Sequence, residues 1–362
     1  MSNEIGKAFV VTSFGESHGK LVGVVIDGCP AGLPLSLEDV QRDLDRRRAK
    51  GELSTPRREE DKAELLSGVF NGHTTGAPIC MVVWNREVDS AEYEKLHYLP
   101  RPGHADYTAR FKYGGFNDYR GGGEFSGRMT ASFVMAGAVA RKVIGLAGIE
   151  VLAHTVEIGG IAGRKVSFQE IRDSATASEV SCADPEASEL MIRAIEKAVA
   201  AGDSLGGLVE AIALNVPPGI GEPIFDTLEG ELAKAFFAIP AVKGVEFGAG
   251  FASARMKGSE HNDFFIIEEG AVRTLTNNAG GILGGISSGM PLVARVAIKP
   301  TPSVRRPQPT VNLEKMCGEE IVIGGRHDPC LVPRVVVVVE AMMSIVLADL
   351  GLRGGLISRV RR

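Results

Sequence analysis

Residues 15–19 read GESHG, and residues 202–206 read GDSLG. The likeness continues at the same offset, because Leu-Val at 21–22 matches Leu-Val at 208–209 and Pro-Ala-Gly at 30–32 matches Pro-Pro-Gly at 217–219. Both copies keep their glycines and serine, but only the first contains a histidine, His18. The duplication predicts a repeated scaffold, and the unmatched imidazole indicates a working site in one copy only.

The repeat predicts a single domain built from two pseudo-repeats, about 1–160 and 161–362. Each GxSxG-like segment leads into a β-rich run that ends in a Pro-x-Gly turn. A second match joins TGAPI at 75–79 with SGMPL at 288–292. The matched predicted strands are 21–26 with 208–214, and 79–85 with 292–299.

Helix signals complete an α+β class in which antiparallel sheets enclose central apolar helices. Ser36 is a suitable N-cap for a helix over 37–50, and Asp226 or Thr227 for one ending near 237. The segment 130–146 is apolar nearly all round, as expected of a helix packed on both sides. Further helices are predicted over 184–201 and in a segment ending near 350. The Arg/Pro-rich segments 48–62 and 300–314 are predicted to be loops.

Composition excludes several classes of protein. The 362 residues carry a net charge of −5, which disfavours a general polyanion-binding surface. The five cysteines have no ligand-like spacing, so neither a disulfide framework nor a metal site is expected, and a reduced cytosolic setting is favoured. The apolar stretch 335–347 is interrupted by Glu340 and is predicted to be buried rather than to cross a membrane.

Candidate anion-binding and acid–base residues occur where arginine and histidine lie in Gly- or Pro-rich loops. Arg101, Arg128 and Arg326 in such loops suit bidentate binding of carboxylate or phosphate. His18 and His104 can act as acids or bases near neutral pH. No GxGxxG or P-loop motif occurs, and although residues 15–19 fit the GxSxG pattern, the adjacent Ser17 and His18 have poor geometry for the nucleophile–base pair of a serine hydrolase. These observations favour acid–base chemistry on an anionic substrate, while the RGGG run at 120–123 leaves an RNA-binding module as an alternative.

Several long motifs, taken together and in order, resemble the chorismate synthase family over essentially the whole chain. They are TSFGESH at 12–18, DRRR at 45–48, RPGHAD at 101–106, DYRGGG at 118–123, SGR at 126–128, AVKGVE at 241–246, NAGGILGGISSG at 278–289, KPTPS at 299–303 and RHDPC at 326–330.

The resemblance implies a β-α-β sandwich fold and a carbon–oxygen lyase of aromatic amino acid biosynthesis. Its reaction is 1,4-anti elimination of phosphate from 5-enolpyruvylshikimate 3-phosphate to give chorismate, the last step of the shikimate pathway. It further implies reduced FMN as cofactor without net redox change, a cytoplasmic homotetramer, and neither nucleic-acid nor membrane partners. The reductant stays open between NADPH, acting indirectly, and an external flavin reductase.

The same resemblance implies roles for individual residues. His18, His104, Asp328 and Ser17 would be catalytic. Arg47, Arg101 and Arg128 would bind the substrate anions. The FMN contacts would come from two runs of residues and two further positions: Glu124, Phe125, Ser126, Gly284, Lys299, Pro300, Thr301, Pro302, Ser303 and Arg326.

Three positions depart from the family pattern. Glu124 stands where members usually carry arginine, Glu52 where many carry another arginine, and Pro240 where asparagine is common. A carboxylate at 124 would repel an anionic ligand at close range unless it turns outward or pairs with an arginine. A catalytically impaired homologue is therefore kept as an alternative.

Overall fold

The computed structural model describes residues 3–48, 61–86, 93, 95–324 and 327–361. Its strands are β1 (Glu4–Ile5), β2 (Val10–Gly15), β3 (Leu21–Asp27), β4 (Ala63–Ser67), β5 (Val69–Phe70), β6 (His73–Thr74), β7 (Ile79–Trp84), β8 (Glu150–Ile158), β9 (Ile161–Ala162), β10 (Gly207–Leu214), β11 (Val242–Phe247), β12 (Phe265–Glu268), β13 (Ala271–Thr274), β14 (Ile282–Leu283), β15 (Ile286–Ser287), β16 (Leu292–Ile298), β17 (Gln308–Asn312) and β18 (Cys317–Ile321). Its α-helices are α1 (Leu37–Arg47), α2 (Asp106–Lys112), α3 (Thr130–Gly145), α4 (Phe168–Glu170), α5 (Pro185–Ala200), α6 (Leu228–Phe237), α7 (Gly258–His261) and α8 (Val332–Arg353).

Two five-stranded antiparallel sheets form the outer layers. The first has the order β1-β2-β3-β7-β4, and the second has the order β11-β16-β10-β8-β9. The predicted α+β class with antiparallel sheets is confirmed. Strands β3 and β10, which carry the matched Leu-Val pairs, each lie in the middle of their own sheet. The division into two pseudo-repeats near residue 160 stays a proposal.

Two apolar helices fill the space between the sheets. Helix α3 packs against β2, β3 and β7 of the first sheet, and α8 packs against β8 and β10 of the second. The helices also pack on each other, and they approach so closely that a Cβ at Gly137 would lie 2.2 Å from the Cβ of Ala341. Burial on both sides explains why neither helix has a polar face.

Local capping chemistry sets where several helices begin. The Ser36 hydroxyl accepts a hydrogen bond from the Asp39 amide, and the Asp39 carboxylate accepts one from the Ser36 amide, which makes a capping box for α1. The Thr227 side chain accepts from the Gly230 amide and caps α6, and the Asp184 side chain accepts from the Glu186 amide and caps α5. Helix α1 ends at Arg47 rather than at residue 50 as predicted, because Arg48 adopts extended backbone.

The end of α1 is fixed to the core by a buried ion pair. Arg46 makes two hydrogen bonds to Glu340 of α8, with N–O distances of 2.6 and 2.8 Å. The Ala153 amide also donates to Glu340 at 3.2 Å, so the carboxylate is compensated inside the core. Arg47, the next residue, is held separately by Thr130, Asp61 and the Gly127 carbonyl.

The segment 335–347 is buried, as predicted, and lies in helix α8. That helix has 22 residues and is long and apolar enough to span a membrane, but its apolar window is entirely buried in the protein, so it is a core helix. One sequence prediction needs correction. The predicted loop over 300–314 contains strand β17, which pairs with β18. Pro309 is tolerated there because a two-stranded ribbon has free edges.

Candidate active site

A glycine loop lies against both predicted catalytic histidines. Gly121, Gly122 and Gly123 have φ angles of +60°, +85° and +53°, which L side chains rarely adopt. A Cβ at Gly121 would lie 2.2 Å from the His18 ring, and one at Gly122 would lie 3.1 Å from the His104 ring. The run of glycines thus allows one backbone segment to touch both imidazoles.

The opening repeat segment contributes the first of these imidazoles. His18 is only 5% exposed, and its ring meets the edge of Tyr93 with centroids 5.0 Å apart. The Ser17 amide donates to the Gly123 carbonyl at 3.2 Å, which fastens the segment to the glycine loop. Ser17 and His18 are therefore buried beside the loop.

A nearby carboxylate belongs to the same loop. Asp118 accepts two hydrogen bonds from the Arg120 guanidinium, each at 2.8 Å. Arg120, and to a smaller extent the charge of His18, hold the pKa of Asp118 below its ordinary value, although burial alone would raise it. Arg120 is therefore paired within its own loop.

His104 is held by a carboxylate and flanked by a guanidinium. Its Nδ1 lies 2.7 Å from Asp106, and an Arg101 nitrogen lies 3.1 and 3.2 Å from its two ring nitrogens. Arg101 also binds Asp106, with distances of 2.7 and 2.8 Å. Burial alone would raise the pKa of Asp106, but Arg101 and His104 together hold it far below its ordinary value. Asp106, which the sequence did not single out, thus orients both residues.

The predicted FMN-phosphate loop, residues 299–303, meets the His104 loop. Ser303 accepts a hydrogen bond from Arg101 at 3.4 Å, and the Lys299 ammonium donates to the Gly103 carbonyl. The Thr301 hydroxyl is buried and has no hydrogen-bond partner. Burial and neighbouring Lys243 lower the pKa of Lys299. One cation and an unused buried hydroxyl suit a phosphate group, so these residues fit FMN.

Two of the predicted substrate arginines share one buried carboxylate, Asp61. Arg47 donates to Asp61 at 2.7 Å and to the Thr130 hydroxyl at 2.9 Å, while Arg128 binds the other oxygen of Asp61. Burial by itself would raise the pKa of Asp61, but the two guanidinium groups outweigh it and hold that pKa low. Burial also lowers the pKa of Arg47 to about 10. Asp61 was not predicted from the sequence.

Asp328 has one occupied and one unoccupied oxygen. Arg334, in the first turn of α8, donates to Oδ2 of Asp328 and also contacts the Arg47 carbonyl at 3.3 Å. Oδ1 of Asp328 is buried and has no hydrogen-bond partner. A buried acceptor without a donor is costly unless a ligand or a proton satisfies it. The Oδ1 atom of Asp328 is therefore available to a ligand donor or to a proton.

The remaining predicted cofactor contacts have different surroundings. Glu124 accepts a 2.6 Å hydrogen bond from the Tyr113 hydroxyl, whose pKa this bond raises. The ring of Phe125 lies near Tyr113 and is partly exposed, and the Ser126 hydroxyl accepts from the Arg128 amide.

Four further positions complete the predicted set. Pro302 approaches Gly103, and Pro300 lies beside Gly206. Gly284 lies on the β14–β15 hairpin, whose neighbours are Thr227 and Gly221 rather than the histidine loops. Arg326, like Glu52, falls outside the described residues. No cluster of three or more His, Cys, Asp or Glu side chains that could hold a metal occurs in the described part of the chain.

Comparisons with known proteins agree on one family. Residues 9–352 match the family model described as "Chorismate synthase". The chain is 60% identical to "Chorismate synthase" of Dehalococcoides mccartyi (strain BAV1), covering 99% of each chain, and 57% identical to that of Korarchaeum cryptofilum, covering 95% of this chain and 96% of the relative. A solved structure, "Crystal Structure of Chorismate Synthase", superposes with a TM-score of 0.77 at 34% identity, covering 96% of this chain and 93% of that one.

Proposed function

The chain belongs to the chorismate synthase family, and on that premise we propose how its own residues carry out the family reaction. The reaction eliminates phosphate from 5-enolpyruvylshikimate 3-phosphate and gives chorismate. A C–O bond to phosphate and a C–H bond break, and a new C=C bond forms. The enzyme therefore needs a group that assists the departing phosphate and a place for the proton.

The observation that supports this assignment best is the contact of one glycine loop with two histidines, the buried His18 and the partly buried His104. Gly121 and Gly122 leave no side chain between the imidazoles of His18 and His104. Nδ1 of His104 lies 2.7 Å from Asp106, and its Nε2 lies 3.2 Å from an Arg101 nitrogen, so Nε2 and the Arg101 guanidinium would face the ligand together. We assign to His104 the assistance of the departing phosphate, because the adjacent Arg101 supplies positive charge for the same anion.

The substrate carries two carboxylates and a phosphate, so the arginine-rich walls suit it. Arg101 and Arg128 would hold these anions directly. Arg47 is also buried and is bonded to Asp61, so its support for substrate binding would include fixing Asp61 and thereby Arg128. Arg326 stays a prediction.

Reduced FMN, when bound, supplies the electron-rich ring that promotes loss of phosphate with no net redox change. The loop 299–303 would hold its phosphate through Lys299, Thr301 and Ser303. His18 would stabilise the reduced flavin from the glycine-loop side. Asp328, with Ser17, would help take up the substrate proton, and the unpartnered Oδ1 of Asp328 is the atom available to hold it.

Assembly, location and reductant belong to the same proposal. We expect a cytoplasmic homotetramer, and exposed apolar side chains on the β12–β13 hairpin, such as Phe265 and Ile267, support burial against another copy. We expect flavin to be reduced by an external reductase, with NADPH as the indirect electron source. Lyase classification follows from the reaction.

The alternative of a catalytically impaired homologue has no support. Glu124 is held by Tyr113, a partner that keeps its carboxylate occupied. The close relatives match along the whole chain. The RNA-binding alternative is likewise disfavoured, because Arg120 of the RGGG run is paired with Asp118.

The test is an anaerobic assay of the full-length protein with 5-enolpyruvylshikimate 3-phosphate. With dithionite-reduced FMN we expect phosphate and chorismate in equal amounts, and with oxidised FMN we expect neither. Absence of both products under reducing conditions would refute the assignment.

A further inference from the structure

The second copy of the opening repeat, residues 202–206, contacts two loops of the active site. We propose that this segment positions the loop 299–303 for the FMN phosphate, with Ser204 as its main positioning residue. The proposal rests on the function given above, in which that loop holds FMN. It assigns a role to the copy that lacks the histidine.

Two hydrogen bonds join this segment to the FMN loop and its continuation. The buried Ser204 hydroxyl donates to the Thr301 carbonyl at 2.7 Å. The Arg305 amide donates to the Gly202 carbonyl at 2.9 Å. These bonds hold the loop near its centre and just beyond its end, so its backbone is fixed independently of any ligand.

A close backbone approach fixes the start of the loop. A Cβ at Gly206 would lie 2.4 Å from the Ile298 carbonyl and 3.0 Å from Pro300. Contacts this short leave room only for glycine, so the glycine at 206 is explained by the passage of the FMN loop across it.

The same segment also holds the loop that carries Asp328. The Leu205 amide donates to the Pro329 carbonyl at 2.8 Å, and Leu205 forms a parallel bridge with Cys330. In the first copy, the Ser17 amide makes the comparable bond to the glycine loop. Each copy thus fastens an active-site loop through its backbone, and only the first adds an imidazole.

The Thr301 side chain indicates the kind of ligand that the positioned loop can bind. Its hydroxyl is buried without a hydrogen-bond partner, while its carbonyl is occupied by Ser204. The bond from Ser204 therefore sets the orientation of a residue whose hydroxyl is left for a ligand. A ligand with oxygen acceptors, as a phosphate has, would complete that site.

The experiment measures the affinity of the full-length protein for dithionite-reduced FMN, followed anaerobically by flavin absorbance. Ser204→Ala leaves the buried Thr301 carbonyl without its donor, and we expect binding about tenfold weaker. Ser344→Ala is the matched control, because the Ser344 hydroxyl is also buried and donates to a carbonyl, that of Glu340, at 2.7 Å. We expect its FMN affinity to equal that of wild type.

A third variant, Thr301→Val, separates this inference from the proposed function. If Thr301→Val weakens FMN binding but Ser204→Ala does not, the loop holds FMN and the positioning role is refuted. If neither variant changes the affinity, the loop is not the FMN site and both assignments fail. Equal weakening by Ser204→Ala and Ser344→Ala would indicate general destabilisation and would also overturn the positioning role.

Discussion

Replacing Gly121 by alanine should inactivate the enzyme by displacing His18. The new Cβ would lie 2.2 Å from Cδ2 and 2.5 Å from Nε2 of His18, whereas ordinary contacts begin near 3.4 Å. The ring or the loop must therefore move by about 1 Å, a misplacement that can cost on the order of 100-fold in rate. We expect the turnover of Gly121→Ala to fall by roughly 100-fold or more, approaching that of His18→Ala.

The matched control is Gly115→Ala, in a nearby loop. Gly115 has a φ of +83°, so alanine there has a comparable backbone cost of about 1–2 kcal/mol, but nothing lies within 4 Å of its Cβ position. Gly122→Ala should have an intermediate effect, because its Cβ would lie 3.1 Å from His104. The three alanine variants thus share a similar backbone cost but differ in how closely the new Cβ approaches a histidine ring.

Turnover is measured as phosphate release with reduced FMN under anaerobic conditions, and thermal unfolding reports on the fold. Gly121→Ala and Gly115→Ala should have similar melting temperatures but very different turnover. Equal turnover in these two variants, at any level, would refute the claim that the glycine run exists to make room for the histidines.

Three further predictions concern the groups around the loop. His104→Ala should lower turnover by roughly 10²–10⁴-fold, the usual loss for a general acid, whereas His73→Ala, at an exposed position outside the site, should leave phosphate release unchanged; a wild-type rate in His104→Ala would refute its role. The folded-state pKa of Asp106 is depressed, so the stability that its charged form contributes is fully present above the unfolded pKa of about 4 and is lost as the pH falls below that value. The difference in free energy of unfolding between wild type and Asp106→Asn, measured by urea titration, should therefore shrink on acidification. A difference that stays constant with pH would contradict this. Arg334→Gln should lower kcat with little change in KM, and it should have no further effect in an Asp328→Asn background, because Arg334 acts through that carboxylate; additive losses in the double variant would show that it acts elsewhere.

Local signals in the sequence predicted the secondary structure well. Ser36 was recognisable as a cap, and Thr227 as one of two candidates, because capping involves residues only two or three positions apart. Strand β17 was missed because Gln308 and Pro309 lack the apolar alternation of a sheet strand, and its pairing with β18 decided the outcome.

The sequence singled out His18 and His104, which the structure places against one glycine loop, but it did not single out the carboxylates Asp61 and Asp106. Asp61 lies in a segment without periodicity, and its partners Arg47 and Arg128 are 14 and 67 residues away in sequence. Such pairs arise only when the sheets and helices are assembled, so no local pattern signals them. The contact of Gly121 with His18 is of the same kind: the glycine run was visible, but the neighbour that requires it was not.

The most direct test of the account compares product formed with flavin oxidised in a single anaerobic reaction. With a small amount of reduced FMN and excess 5-enolpyruvylshikimate 3-phosphate, we predict many phosphate and chorismate molecules per flavin, with the flavin still reduced at the end. Product that stops at one equivalent while the flavin becomes oxidised, or no product at all, would contradict elimination without net redox change at this site.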